Sequence, residues 1–258
     1  MNIPKIIHYC WFGPEDIPEK ELKCIKSWSA ILPDYELMFW NEDSFNFKSN
    51  NFAFQAYKDR AYAFVSDYVR TNVLYEHGGI YLDADVELLK GFDRFLIDDK
   101  CLLGFENRSQ IGTALMRFTP KHPLISKFLN YYQHNDFVDS KGNVNTIANV
   151  RILNDILKGR GLIADGSCQV LDEIKIYPRE YFYPKKISDI DFRVVDETVA
   201  IHKFSGSWMS EREKNRGKNI IWINLMRPLL RRLRNFGQKI IGGRHIQSIE
   251  VRIRNILK

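Results

Sequence analysis

Residues 63–87 read AFVSDYVRTNVLYEHGGIYLDADVE, and the succession of patterns within them decides the fold. Ala61, Phe64, Val65, Tyr68, Asn72 and Tyr75 recur at helical spacing as a core stripe, while Val69, Val73 and Leu74 leave few exposed positions elsewhere. The helix is therefore expected to be largely buried. Gly78-Gly79 can leave it with positive φ and enter a strand at once. Ile80, Tyr81, Leu82 and Val86 then supply the β-branched, aromatic and aliphatic residues of a mostly buried strand. A helix emptying directly into such a strand predicts an α/β sheet.

Asp83-Ala84-Asp85 ends the apolar run. On an extended chain, alternate residues share a face at a rise of roughly 3.3 Å per residue, so two carboxylates at i and i+2 can serve one hard divalent ion or its bound diphosphate. A DxD on a solvated turn would carry no such meaning; this one stands where a buried strand emerges. Asp67 and Arg70, three residues apart on the preceding helix, would be worth only about a few tenths of a kcal/mol as a surface pair. On a buried helix feeding a cation site they are expected to serve a polar ligand.

Outward from this stretch the chain alternates strands and helices. Lys5–Trp11 and Tyr35–Trp40 are expected strands around a helix at Lys20–Leu32 that ends before Pro33. Ala53–His77 is expected to be mostly helical, and Ile80–Leu88 to hold the DxD in a strand. Cys101–Phe105 and Ala114–Phe118 are further strands, with the polar loop Glu106–Gly112 between them expected on the acceptor side. Pro123–Tyr132 and Asn149–Leu157 are helices, the second stopped by Gly159 and Gly161. Val170–Tyr183 and Val194–Phe204 return to strand character.

Three motifs together resemble glycosyltransferase family 32, which includes bacterial capsular and exopolysaccharide transferases and fungal mannosyltransferases; large clostridial glucosylating toxins carry a related signature. They are Ile3 to Gly13, the run from Ser66 to Asp85 just described, and His202 to Trp208, HKFSGSW. They bracket roughly four-fifths of the chain, the size of one catalytic domain. The resemblance implies a GT-A fold, a Rossmann-like mixed sheet flanked by helices, with a nucleotide-sugar donor, expected to be a UDP-sugar, and Mn²⁺ or Mg²⁺. It implies that Trp11 stacks on the nucleobase, that Asp67 and Arg70 hold donor-sugar hydroxyls, and that Tyr81 lines the nucleotide pocket. Asp83 would contact the ribose and the metal region, Asp85 would ligate the metal, and His202, Ser207 and Trp208 would close over the diphosphate, His202 as a further ligand. Taken alone, Trp11, Tyr81 and His202 are each compatible with packing, and His8 reads as a satisfied strand histidine.

With 258 residues, 45% of them hydrophobic, the chain can bury a substantial core. Aromatics at 13% suit sugar stacking and dense packing equally. Cys10, Cys24, Cys101 and Cys168 are widely spaced, without the clustering of a zinc site or redox pair. The N-terminus lacks a secretory pattern and no segment approaches the roughly 18 apolar residues of a membrane span. The expectation is a cytoplasmic enzyme, peripheral at the inner face of the cell membrane.

That last clause comes from the tail. Residues 227–258 hold nine Lys or Arg and one acid, a surplus of +8 in a chain whose total is +6, so residues 1–226 sum to −2. Ile220, Ile221, Trp222, Ile223, Leu225, Met226, Leu229, Leu230 and Leu233 interleave with these cations in a pattern suited to an interfacial helix on an anionic membrane. A helix packed on its own domain, or a subunit contact, fits the same residues; nucleic acid is disfavoured for want of a recognition motif. The division expected is a GT-A domain at 1–210 and a basic amphipathic helical tail at 211–258. The function expected is sugar transfer to a glycan or lipid-linked glycan in bacterial surface polysaccharide, such as capsule, with retention of configuration. The rivals are a nucleotidyltransferase, which would want a third acid and a Gly-Ser phosphate loop, and an inactive glycan-binding or scaffold protein at the membrane.

Overall fold

Extended residues beginning at Ile6 form the first strand of a mixed sheet, and each later strand is placed by its register to a neighbour. The computed structural model describes residues 3–46, 49–92, 101–185, 192 and 194–207. Met1–Ser205 make up one compact unit; the boundary expected at residue 210, and the tail beyond it, lie outside the described residues. The elements are β1 (Ile6–Cys10), α1 (Glu19–Ile31), β2 (Glu36–Trp40), α2 (Asn51–Lys58), α3 (Tyr62–His77), β3 (Gly79–Leu82), β4 (Val86–Leu88), β5 (Cys101–Asn107), β6 (Gln110–Ile111), β7 (Leu115–Phe118), α4 (Pro123–His134), α5 (Asn149–Lys158), β8 (Gln169–Leu171), β9 (Ile174–Tyr177) and β10 (Ala200–His202).

The main sheet runs β2-β1-β3-β7-β5-β9-β8, with β6 paired to β5; β4 and β10 form a separate antiparallel ribbon. β1 is parallel to β2 and β3, and β5 is parallel to β9. β7 lies antiparallel between β3 and β5. The carboxyl ends of β1, β3, β5 and β9 therefore open on one edge, the edge at which α/β sheets place ligands. Helices flank this mixed sheet, the GT-A architecture expected from the sequence.

Strand alternation divides the core between the two faces. Tyr81, Leu103 and Phe105 join Phe52, Val65, Val69, Phe128 and Leu153 in one cluster. Ile80, Leu82 and Leu102 join Trp28, Leu88, Phe182 and Tyr183 in the other. α3 is buried as expected, with Val65, Asp67, Tyr68, Val69, Arg70, Thr71, Val73 and Leu74 all inside. It ends where Gly78 and Gly79 take φ of 65° and 92°. A Cβ on Gly79 would stand 2.7 Å from the Ile6 carbonyl oxygen, so only glycine lets β3 approach β1 here.

The span Ala53–His77 is mostly helical as expected, in two helices: Arg60 adopts φ 55°, Ala61 N–H donates to Ala56 O at 2.8 Å and Arg60 N–H to Tyr57 O at 2.9 Å, a Schellman stop with arginine in the glycine position. Two expectations are corrected. The DxD does not sit within a strand; it is a turn between β3 and β4, closed by Val86 N–H to Asp83 O at 2.9 Å. Val170–Tyr183 is a β8–β9 hairpin followed by a 3-10 turn at Arg179–Tyr181. The loop Glu106–Gly112 also contains structure, the short return of β6 along β5.

Candidate active site

Each acid of the DxD belongs to a different sheet. Asp83 follows β3, with its N–H donating to Ala114 O at 2.8 Å across β7. Asp85 precedes β4, which α1 anchors: the Trp28 indole donates to Val86 O at 2.7 Å, and the Ser27 hydroxyl accepts from Leu88 N–H at 2.9 Å. The ribbon register sets His202 opposite Val86, and Lys203 N–H continues the ladder to Asp85 O at 3.0 Å. Ser205 N–H donates to Asp85 Oδ2 at 2.7 Å, and His202 Nε2 lies 3.3 Å from Asp85 Oδ1. Burial opposes the charge of Asp85, yet its hydrogen bond and charge interaction with His202, and the Ser205 amide, hold its pKa below the usual carboxylate value. For His202 burial works against protonation, but Asp85, with Asp83 and Glu106 further off, keeps the pKa above the ordinary imidazole value.

One donor atom each from Asp83, Asp85 and His202 lie within 4.8 Å of one another. Ligands around a small divalent ion stand about 2.0–2.2 Å from it, so the three fit a common centre. His202 Nδ1 is buried with no hydrogen-bond partner, the kind of desolvated polar atom that a ligand satisfies. Two carboxylates and an imidazole suit a hard or borderline divalent cation, and the residues present fit the expected Mn²⁺ or Mg²⁺.

A second group of polar side chains stands on α3. Arg70 Nη2 is 3.3 Å from Asp67 Oδ1, and Arg70 Nη1 is 3.1 Å from Asp83 Oδ1 and donates to Thr113 O at 3.1 Å. The guanidinium lies 4.6 Å from the Tyr81 ring centroid, and the Tyr81 hydroxyl donates to Asp83 Oδ1 at 3.1 Å. Both contacts fall on Oδ1, which leaves Asp83 Oδ2 for a ligand. Asp67 also accepts from the Asn149 amide at 2.6 Å. Burial pushes the Asp67 pKa up to about 7 against the pull of Arg70, whose one charge is divided between two carboxylates.

Trp11 follows β1 on the same edge as Asp83. It is half-buried, and its indole donates to Glu15 O at 2.7 Å. Gly13, at φ 105°, packs on the Tyr62 ring and donates to Glu42 Oε1 at 2.7 Å, which pins the loop. Tyr81 is 1% exposed, lodged beneath Arg70. Ser207 is exposed and Trp208 lies outside the described residues. His8 is the satisfied strand histidine expected: Nε2 pairs with Gly78 O at 2.9 Å and Nδ1 accepts from the Trp40 indole at 3.2 Å, and burial lowers its pKa to about 4. Asn149 and Thr113 were not singled out from the sequence. Asn149 stands 82 positions from Asp67, and nothing local to it signals the contact.

Residues 18–102 match the glycosyltransferase sugar-binding region containing the DXD motif. This region, about a third of the chain, resembles a family 32-type DXD region. Two curated proteins of Schizosaccharomyces pombe are similar to about half of the chain. Inositol phosphoceramide mannosyltransferase 2 is 41% identical over 140 residues, covering 52% of this chain and 39% of that protein. Inositol phosphoceramide mannosyltransferase 3 is 33% identical over 127 residues, covering 48% of this chain and 35% of that protein. The chain thus spans little more than a third of the length of these relatives. The PaToxG glycosyltransferase structure is similar with a TM-score of 0.50 and 22% identity, over 61% of this chain and 69% of that one, a likeness of fold. The matched DXD region contains both the Asp67–Arg70 pair and the DxD turn.

Proposed function

We propose that this protein is a metal-dependent glycosyltransferase that moves a sugar from a nucleotide-sugar, expected to be a UDP-sugar, to a glycan or lipid-linked glycan. The observation that carries the reading is the convergence of Asp83, Asp85 and His202 within 4.8 Å, beside a buried Arg70 that touches both Asp67 and Asp83. In this reading Asp85, Asp83 and His202 would hold the Mn²⁺ or Mg²⁺, which when bound would supply Lewis-acid stabilisation to a leaving nucleoside diphosphate.

The chain's own side chains do the remaining work. Trp11, pinned by its indole hydrogen bond, offers an aromatic face to the base. Asp67 and Arg70 hold hydroxyls of the donor sugar, and their mutual contacts fix them before the ligand arrives, so binding energy goes into alignment rather than ordering. Tyr81 supports Asp83 from beneath. The Ser205 amide and His202 hold Asp85 ionised, and Ser207 and Trp208 would cover the diphosphate. Retention of configuration by front-face attack, with a donor phosphate oxygen taking the acceptor proton, completes the expectation. The names of the relatives, inositol phosphoceramide mannosyltransferases, support a headgroup-type acceptor and admit GDP-mannose among the donors to be tried. A role in bacterial surface polysaccharide, and a cytoplasmic, peripheral-membrane location mediated by the basic tail, belong to the same proposal. No helix of the described residues is long and apolar enough to cross a membrane.

The test is incubation with a panel of UDP- and GDP-sugars and Mn²⁺, with and without EDTA. Slow, EDTA-sensitive release of the nucleoside diphosphate is expected. Pyrophosphate release from a nucleoside triphosphate would favour a nucleotidyltransferase, and neither binding nor turnover would favour a scaffold.

A further inference from the structure

β5 reads Cys-Leu-Leu-Gly-Phe-Glu-Asn, an apolar run ended by an acid, as β3 is ended by Asp83. Its pairing with β6 is out of step at that acid: Phe105 faces Ile111 while Asn107 faces Gln110, so Glu106 is an extra residue on one strand. Such bulges bend a strand at its rim and re-aim a side chain. Gly104, two residues earlier, packs against Phe182 and Tyr183, and the shared pairing of Ile80 and Leu102 with Arg117 of β7 sets Glu106 level with the DxD turn. The Tyr183 ring lies edge-on to His202, centroids 5.9 Å apart.

Glu106 therefore stands at the edge of the sheet that carries the DxD turn, on the His202 side of the site. Its charge is felt there: His202 draws its pKa down, while burial first and Asp83 second push it up, with a net rise. No hydrogen bond or salt bridge engages its carboxylate among the described residues, and it is not one of the three clustered donors. A half-buried carboxylate without a protein partner keeps its oxygens free to accept from a ligand. The donor-sugar side is already furnished by Asp67, Arg70 and Asn149.

We propose that Glu106 binds the acceptor, accepting a hydrogen bond from the hydroxyl of a glycan or glycosylated headgroup beside the Asp83–Asp85–His202 cluster. The inference rests on the transferase reading of the site. Glu106 orients that hydroxyl by direct contact, and no proton or group is transferred to Glu106 in this role.

Two measurements test it with the full chain. The first titrates methyl glycosides (methyl α-mannoside, methyl β-galactoside and methyl β-glucoside) into protein holding Mn²⁺ and UDP or GDP, and reads binding by saturation-transfer NMR. Wild type is expected to bind at least one of them, Glu106→Gln roughly tenfold more weakly, as for loss of a hydrogen bond to a charged group, and Glu106→Asp at an intermediate level. The second follows Mn²⁺ binding by electron paramagnetic resonance, and is expected to differ little between wild type and Glu106→Gln. The proposal is overturned if no methyl glycoside binds wild type, if Glu106→Gln binds as wild type does, or if Mn²⁺ affinity falls as far as glycoside affinity, which would make Glu106 a metal ligand. Failure of the transferase reading looks different: no sugar nucleotide is turned over, while glycoside binding still depends on Glu106.

Discussion

Arg70 Nη1 stands 3.1 Å from Asp83 Oδ1, so helix α3 and the DxD turn share one cation. The same guanidinium holds Asp67 at 3.3 Å, and all of this takes place where Arg70 is only 6% exposed. The two motifs recognised in the sequence as separate signals are one electrostatic unit.

Removing that cation should be expensive. Arg70→Met leaves two carboxylates facing each other across a poorly solvated gap, and breaking a buried pair typically costs about 3–5 kcal/mol. Urea unfolding should show a loss of this order. Arg70→Met combined with Asp67→Asn should recover part of it, because the second change removes the stranded charge; strict additivity of the two would refute the coupling.

Asp67 makes stability depend on pH. Its folded pKa, about 7, lies above its ordinary 3.8, so the native state holds the proton more tightly than the unfolded chain does. Its contribution is fully present below pH 3.8 and is lost as pH rises through 7. Between pH 4 and 7 the wild-type melting temperature should therefore fall relative to that of Asp67→Asn. A parallel pair of profiles would show that Asp67 is ionised throughout.

Asp85→Asn should abolish Mn²⁺-dependent nucleoside diphosphate release by about a hundredfold or more, in line with losing the electrostatic support of a leaving group. The fold should survive, since Asn can still accept from the Ser205 amide. Circular dichroism and Mn²⁺ titration separate the two effects, and undiminished Mn²⁺ affinity would remove Asp85 from the metal site.

Truncation after Met226 deletes nine basic residues and one acid. Association with phosphatidylserine-containing vesicles at low salt should drop, since each cation near an anionic surface contributes about 1 kcal/mol. Hydrolysis of a soluble donor should persist. Loss of the folded state on truncation would instead make the tail part of the core.

The sheet and its edge were legible because apolar runs ending in acids or glycines announce buried strands and their exits, as GGIYL does before Asp83. α1, α4 and α5 were read within about two residues for the same reason, each bounded by Pro, Gly or a periodic stripe. Where the chain broke its own grammar the reading missed. Arg60 stops a helix in a conformation that usually calls for glycine, and no local residue warns of it. The DxD looked like strand because its flanks are strand-forming, whereas the chain turns there to leave one sheet for another. Asn149 and Thr113 enter the site through tertiary contacts alone, 82 positions from Asp67 and 43 from Arg70. Glu106 did leave a trace, the same apolar-then-acid cadence as β3; the loop it opens was expected on the acceptor side, but the acid itself was not singled out.

Because Asp83 closes a strand of the large sheet and Asp85 opens the β4–β10 ribbon, a cation held by both would act as a rivet between two separately hydrogen-bonded sheets. Loading the protein with Mn²⁺ should then slow amide exchange at Val86–Leu88 and Ala200–His202 far more than in the distant β8–β9 hairpin, and catalytic competence and the mechanical integrity of that seam should be gained and lost together.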